Sequence, residues 1–379
     1  MSDLRQRKLY HEVRPSAEQD SYVEFAQPRF QISVGAGRSL VKNSVRILGD
    51  LLVESGGVRA TAGIQLNRNS GAHVLFNSIQ TSFAGGPGTG SVGGTIENLT
   101  NYPRWVTMNA VGSLNELDML NGINQCELRA STDGIANKYA QGIAPGLTGG
   151  AVVIQDADFS IKPEIGLNRM SGGDLPFDKS GIVSVMCTLA RNSHALYGAS
   201  QDANASYQLS NLRCTYMSVP DAKTPEPAVM NIEHPVSSNI LTGFATLSTN
   251  VPAVCSGVST NFIATHHSGV NVFDSNAMEN PFQLQSVHFI MNDKTNSLVT
   301  YKIEDQTEML ERAVDSLYNS GRNQVSLNTF RNNQSFCVGL DFDGPVDLTS
   351  NRFTFQINSG ISNIYPCNIH QYFHSTVSV

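Results

Sequence analysis

From Phe30 to the C-terminus one pattern recurs: short runs of alternating apolar and polar residues, separated by turns rich in Gly, Asn, Ser and Pro. A period of two sends successive side chains to opposite faces of a strand, so each run has one face to bury. Many short strands of this kind pack as sandwiches or barrels, not as parallel sheets with crossover helices. Phe30, Ile32 and Val34 open the series, and Gly35-Ala36-Gly37 turns the chain. Strands are expected at Val45 to Ile47, Asp50 to Val53, Ala72 to Phe76 with Ser78-Ile79, Asp158 to Ile161 and Gly181 to Val185. A late pair is expected at Tyr207 to Leu209 and Leu212 to Tyr216.

The series breaks once. The stretch from Val219 to Pro227 contains Pro220, Pro225 and Pro227, and proline cannot donate to a central ladder. A chain of 379 residues exceeds the size at which one core stops growing, about 250–300 residues. The expected division is an N-terminal arm over 1–28, a first sandwich over 29–218, a linker over 219–228 and a second sandwich over 229–379. The arm is polar, holds Pro15 and Pro28, and has no clean period, so it is not expected to pack alone: it reads either as a frayed terminus or as a segment that orders against a neighbour. In the second half Phe282 to Leu284, Val287 to Ile290 and Leu298 to Tyr301 read as strands. So do the runs through Phe336, Val338, Leu340 and Phe342, and through Phe353, Phe355 and Ile357.

Each half also carries one helix signal. Ser113-Leu114-Asn115-Glu116 is a capping box, with Leu114, Leu117 and Leu120 on successive turns and Gly122 placed to end the helix. In the second half Asp305 is the cap, with Glu308 three residues on. Met309, Ala313, Val314 and Leu317 form the apolar face, and Gly321 stops it. The shared order of strands, helix and strands points to a duplicated unit. At an offset of 140 residues, Val185, Arg191, Asn192, Ser210 and Asn211 recur as Val325, Arg331, Asn332, Ser350 and Asn351.

Nothing in the chain asks for catalysis, and neither a cofactor nor a metal is expected. Gly88-Thr89-Gly90-Ser91-Val92-Gly93 has dinucleotide-motif spacing, but that motif needs a helix directly after it, and Pro103 argues against a long one. His266-His267 on a strand would point to opposite faces. His370 and His374 share a face but have no carboxylate nearby in sequence. Asp341-Phe342-Asp343-Gly344 reads as a turn, because the glutamate of a calcium loop does not follow. The cysteines at 126, 187, 214, 255, 337 and 367 form no CxxC pair and read as buried free thiols. With a net charge of −7, the whole protein is not expected to wrap nucleic acid. The local exception is the N-terminus, where Arg5, Arg7, Lys8 and Arg14 cluster. The N-terminus has no apolar region like that of a secretory signal, and no run is long and apolar enough to span a membrane.

Several stretches resemble the double jelly-roll major capsid proteins of the lineage that includes adenovirus and the tailless membrane-containing phages. They are most like those of polinton-like viruses. The residues that carry the resemblance are Phe30-x-Ile32-x-Val34-Gly35-x-Gly37-Arg38-x-Leu40, Asn43-Ser44-Val45-Arg46, Tyr102-Pro103-Arg104-Trp105, Asp158 to Asn168, Leu189-Ala190-Arg191 and Tyr207 to Tyr216. The resemblance implies an all-β fold of two consecutive eight-stranded antiparallel jelly rolls with short inserted helices. It implies a homotrimer forming a pseudo-hexameric capsomer in an icosahedral shell, without enzyme activity. The expected location is the virion capsid, assembled inside the infected cell. Neighbouring trimers, penton and minor capsid proteins are the expected partners. Arg5, Arg7, Lys8 and Arg14 are the expected inner-surface contacts, to an internal membrane or packaged DNA. The irregular stretches 129–157 and 255–280 are the expected contacts within the trimer. The alternative is a carbohydrate- or receptor-binding β-sandwich of a virion, which would need an aromatic surface that the single tryptophan, Trp105, would have to provide.

Overall fold

A computed structural model of the chain describes residues 8–56, 58–59, 64–67, 70–113, 157–198, 205–224, 226–241, 244–269, 273–280, 283–292, 298–317, 336–359 and 366–379. The first half contains β1 (Leu9–Val13), β2 (Arg29–Ile32), β3 (Arg38–Leu40), β4 (Arg46–Ser55), β5 (Phe76–Ala84) and β6 (Gly93–Thr100). Helix α1 (Tyr102–Ser113) follows, then β7 (Ala157–Ile161), β8 (Val183–Leu189) and β9 (Ala205–Pro220). One sheet has β9 at its centre, with β1 on one side, β3 and β4 end to end on the other, and β7 beyond β4. The facing sheet runs β2-β8-β5-β6.

The second half repeats this plan with β10 (Ala228–Ile240), β11 (Phe244–Thr249), β12 (Val254–Ala264), β13 (Leu284–Asn292) and β14 (Leu298–Ile303). Helix α2 (Gln306–Ser316) is followed by β15 (Cys337–Asp347), β16 (Phe353–Ser359) and β17 (Cys367–Ser378). Its sheets run β10-β17-β12-β15 and β11-β16-β13-β14, with every pairing antiparallel. With β3 and β4 taken as one broken strand, the halves match position by position, and each helix sits between the fifth and sixth strands. This is the double jelly roll.

Local chemistry explains most elements. In β16, Phe353, Phe355 and Ile357 are buried while Thr354 and Gln356 are half-exposed and Asn358 is exposed, as a period of two demands. Asp305 caps α2, its carboxylate accepting from the amides of Thr307 (2.6 Å) and Glu308 (3.2 Å). Met309 and Ala313 are buried beneath it. The four residues from Cys337 to Leu340 are all buried, because the sheet covers one face of β15 and α2 covers the other.

Several expectations need correction. Leu9–Val13, placed in the arm, is the edge strand of the first sandwich, paired with Cys214 to Ser218. Tyr22, also in the arm, is buried and bridged to Leu209. Tyr10 is 82% exposed, so β1 is not driven by an apolar face. It forms because the free edge of β9 offers unpaired backbone groups. Gly71–Leu75 is a 3-10 turn, buried throughout, and the strand starts at Phe76. An apolar run buried on all sides looks the same in sequence whether it is strand or turn.

Helix α1 begins at Tyr102 and takes Pro103 in its first turn, where a missing N–H costs nothing. Beyond Ser113 the capping-box helix expected from Ser113 to Gly122 falls outside the described residues, as do Gly321, the stretch 114–156, Cys126, Val325, Arg331 and Asn332. The expected pair within Tyr207 to Tyr216 is a single 16-residue strand with a bulge after Ser210. There Asn211 takes φ 51°, a conformation Asn tolerates well. Within 255–280, the part up to Ala264 is the central strand β12, not a loop. Strand β9 ends at Pro220 and β10 starts at Ala228.

Candidate functional site

The two sandwiches meet along a seam built from backbone as well as side chains. The short strand Met170–Gly172, from the first half, pairs with Ala228 to Met230 and so extends a sheet of the second. The Asn231 amide donates to the Arg169 carbonyl at 3.2 Å. Helix α1 lies against the second sandwich: the Arg104 guanidinium donates to the carbonyls of Ser275 and Ala277, and Tyr372 donates to the Asn101 carbonyl at 2.9 Å. One apolar core runs through both halves, with Trp105, Tyr102, Tyr207 and Tyr372 among its largest buried side chains.

Charged groups from both halves converge inside this seam. Arg169 pairs with Glu233 of β10, whose carboxylate is fully buried. Its guanidinium also lies 4.8 Å from the centre of the Trp105 ring. Glu233 faces His374 directly across the β10–β17 ladder, and His374 Nδ1 is 2.5 Å from its carboxylate. His374 Nε2 is 2.7 Å from Ser259 Oγ on β12. Glu97 on β6 accepts from the amides of Gly166 (2.9 Å) and Glu233 (3.2 Å), so it too bridges the halves.

These contacts set the electrostatics. Burial pushes the Glu97 carboxyl up to about 7, and the Gly166 amide and Arg169 only partly oppose it. Burial would also raise Glu233, but His374 and Arg169 outweigh it and hold the carboxyl below its ordinary range. Burial disfavours the Arg169 cation, yet Glu233 more than compensates and raises it. Sequence had flagged His374 and missed its carboxylate, because Glu233 comes from a strand more than a hundred residues away.

The expected inner-surface residues fare differently. Lys8 is exposed. Arg14 is exposed and paired with Glu18, whose hydrogen bond and charge raise its pKa. Arg5 and Arg7 lie outside the described residues. Apolar side chains do reach the surface near the N-terminus, where Tyr10 is 82% and Phe25 62% exposed. At the turn after β10, Leu241 is 70% and Phe244 71% exposed.

The chemical motifs resolve into structure. The glycine-rich loop 85–94 joins β5 to β6 and is pinned to the turn Phe177–Ser180: Gly88 donates to the Asp178 carbonyl at 2.8 Å and Lys179 to that of Thr89 at 2.6 Å. His266 and His267 sit in a turn, with His267 2.7 Å from Glu279. His370 contacts Ser237 Oγ at 2.9 Å, and burial, with Arg104 and His194 nearby, holds it well below the usual range. The Asp341 carboxylate accepts from the Asp343 amide at 3.0 Å; the expected turn is instead an irregularity within β15, where its register against β12 shifts. Among the described residues no group of His, Cys, Asp and Glu is placed to hold a metal ion. Trp105 is fully buried, which removes it as a surface platform for sugar.

No family model matches the chain. No curated protein matches it either. Solved structures do. The Faustovirus major capsid protein superposes with a TM-score of 0.65 at 8% identity, over 99% of this chain and 90% of that one. A Sputnik virophage structure gives 0.57 at 9% identity, covering 98% and 86%. The mavirus major capsid protein gives 0.51 at 11% identity, covering 97% and 86%. The likeness is one of fold, and it spans both sandwiches and the seam between them.

Proposed function

We propose that this chain is the major capsid protein of an icosahedral double-stranded DNA virus, a structural subunit and not an enzyme. The observation that carries the reading is the likeness to the Faustovirus major capsid protein along 99% of the chain, which includes both jelly rolls in order. Duplication has a geometric use. Three copies of two similar sandwiches present six similar edges, which tile a hexagonal lattice.

The homotrimer is the first partner in this reading, then neighbouring trimers, then penton and minor proteins. The exposed Tyr10, Phe25, Leu241 and Phe244 are the natural candidates for those contacts. The same reading takes 219–228 as the linker between two assembly modules and places the protein in the virion capsid after assembly in the host cell. The placement among polinton-like viruses rests on sequence resemblance. The basic N-terminus, Arg5, Arg7, Lys8 and Arg14, faces inward toward membrane headgroups or packaged DNA. Replacing Arg5, Arg7 and Lys8 with Ala is expected to impair packaging, and unchanged assembly and packaging would remove that role.

Light scattering on the purified protein, with negative-stain images of the peak, tests the main reading. A stable trimer with a hexagonal outline is expected. A persistent monomer that forms no lattice would overturn it.

A further inference from the structure

The hydrogen-bond directions around His374 can be worked out from one end. Ser316, in the last turn of α2, donates its single hydroxyl proton to the Ala313 carbonyl at 2.7 Å. Its oxygen is 2.8 Å from Ser259 Oγ, so Ser259 must donate there. Ser259 then has no proton left for His374 Nε2 at 2.7 Å, and Nε2 is the donor. At the other ring nitrogen, Nδ1 faces the Glu233 carboxylate, which only accepts while ionised. Both ring nitrogens donate, and His374 is an imidazolium in this arrangement.

The seam therefore holds two cations, Arg169 and His374, against Glu97 and Glu233. We propose that this cluster is a proton-dependent latch between the two sandwiches, closed while its protons are held. Rising pH strips the Glu97 proton and puts a second buried carboxylate into the seam. Among the described residues, the groups packed around it supply no replacement charge. Glu164 acts on Arg169 from the segment after β7 and adds negative potential. His234, on the same strand as Glu233, is lowered by burial and favours the neutral form. Cys255, on β12, is raised by burial to about 12, and Tyr372, on β17, is raised by burial, so both are neutral. Arg104 acts on Tyr372 from α1 and is engaged with two carbonyls.

The sign follows from proton linkage. Glu97 in the folded protein binds its proton up to about pH 7, against 4.5 for the free side chain. A group raised in this way contributes stability that is complete below its unfolded value and is lost as the pH climbs through the folded one.

Hydrogen exchange of β6 and β10 amides, corrected for intrinsic rates, tests the latch on the full chain. Between about pH 5 and about pH 8, opening of these strands is expected to rise at least about tenfold in the wild type and much less in Glu97→Gln. An identical rise in both would overturn the proposal. Ser316→Ala tests the relay from outside the seam. It frees the Ser259 hydroxyl to donate to Nε2 and so accommodates a neutral imidazole. Side-chain nitrogen NMR is expected to show His374 Nε2 as a donor in the wild type and as an acceptor in Ser316→Ala, and an unchanged Nε2 would overturn the proton assignment.

Discussion

The Arg169 guanidinium lies 4.8 Å from the centroid of the Trp105 ring while pairing with Glu233 of the opposite sandwich. The ring also touches Tyr372 and His374, at 5.5 and 5.7 Å between centroids. A residue of the first half thus forms one wall of a charged site to which each half contributes two members, Glu97 and Arg169 from the first and Glu233 and His374 from the second. The seam is part of the core, not a loose contact between finished domains.

Removing that wall should be costly. Trp105→Ala is expected to destabilise the protein by about 3–5 kcal/mol, from lost burial plus the cavity left behind. Trp105→Phe should cost less. Urea denaturation followed by circular dichroism measures both, since the single tryptophan is itself the residue changed.

Glu233 is the counter-charge for two buried cations. Glu233→Ala is expected to cost about 3–5 kcal/mol, because it leaves Arg169 and His374 buried without it. Adding Arg169→Met should recover part of the loss. Strictly additive penalties in a double-mutant cycle would show that the pair is not coupled.

The cap of α2 is a separate, smaller effect. Asp305→Ala should lower stability by about 1 kcal/mol, and Asp305→Asn by less, since Asn also caps. Equal losses for Ala and Asn would mean that the two amide contacts carry little.

The described cysteines, 187, 214, 255, 337 and 367, are free and buried. Burial raises Cys214, Cys337 and Cys367 to about 12 and Cys187 higher still. These thiols should be inert to Ellman's reagent in the native protein and react fully after denaturation. Rapid native reaction beyond what Cys126 supplies would contradict their placement.

Deleting residues 1–13 should bare the edge of β9 and promote aggregation, whereas deleting 1–7 should not. Comparing soluble yield and sedimentation of the two truncations checks that Leu9–Val13 is part of the sandwich.

Some of this is legible in the sequence. The period of two in Phe353 to Ile357, the Asp305 cap and the proline break each depend on neighbours in sequence, and physics at that range is local. So a two-sandwich, strand-rich plan with a capped helix in the second half could be read from the residues alone. Three things could not. The edge strand at Leu9–Val13 has no apolar face and exists because β9 has an unpaired side. The turn at Gly71–Leu75 is apolar in every direction and carries no period. The Glu97–Arg169–Glu233–His374 cluster joins residues from four separate segments. A lone buried carboxylate or imidazole is unfavourable, and only the folded seam brings each its counter-charge at hydrogen-bond distance. Sequence determined the periodic strands and the faces they bury. Tertiary structure decided which polar residues are buried together, because that depends on distances the chain sets only by folding.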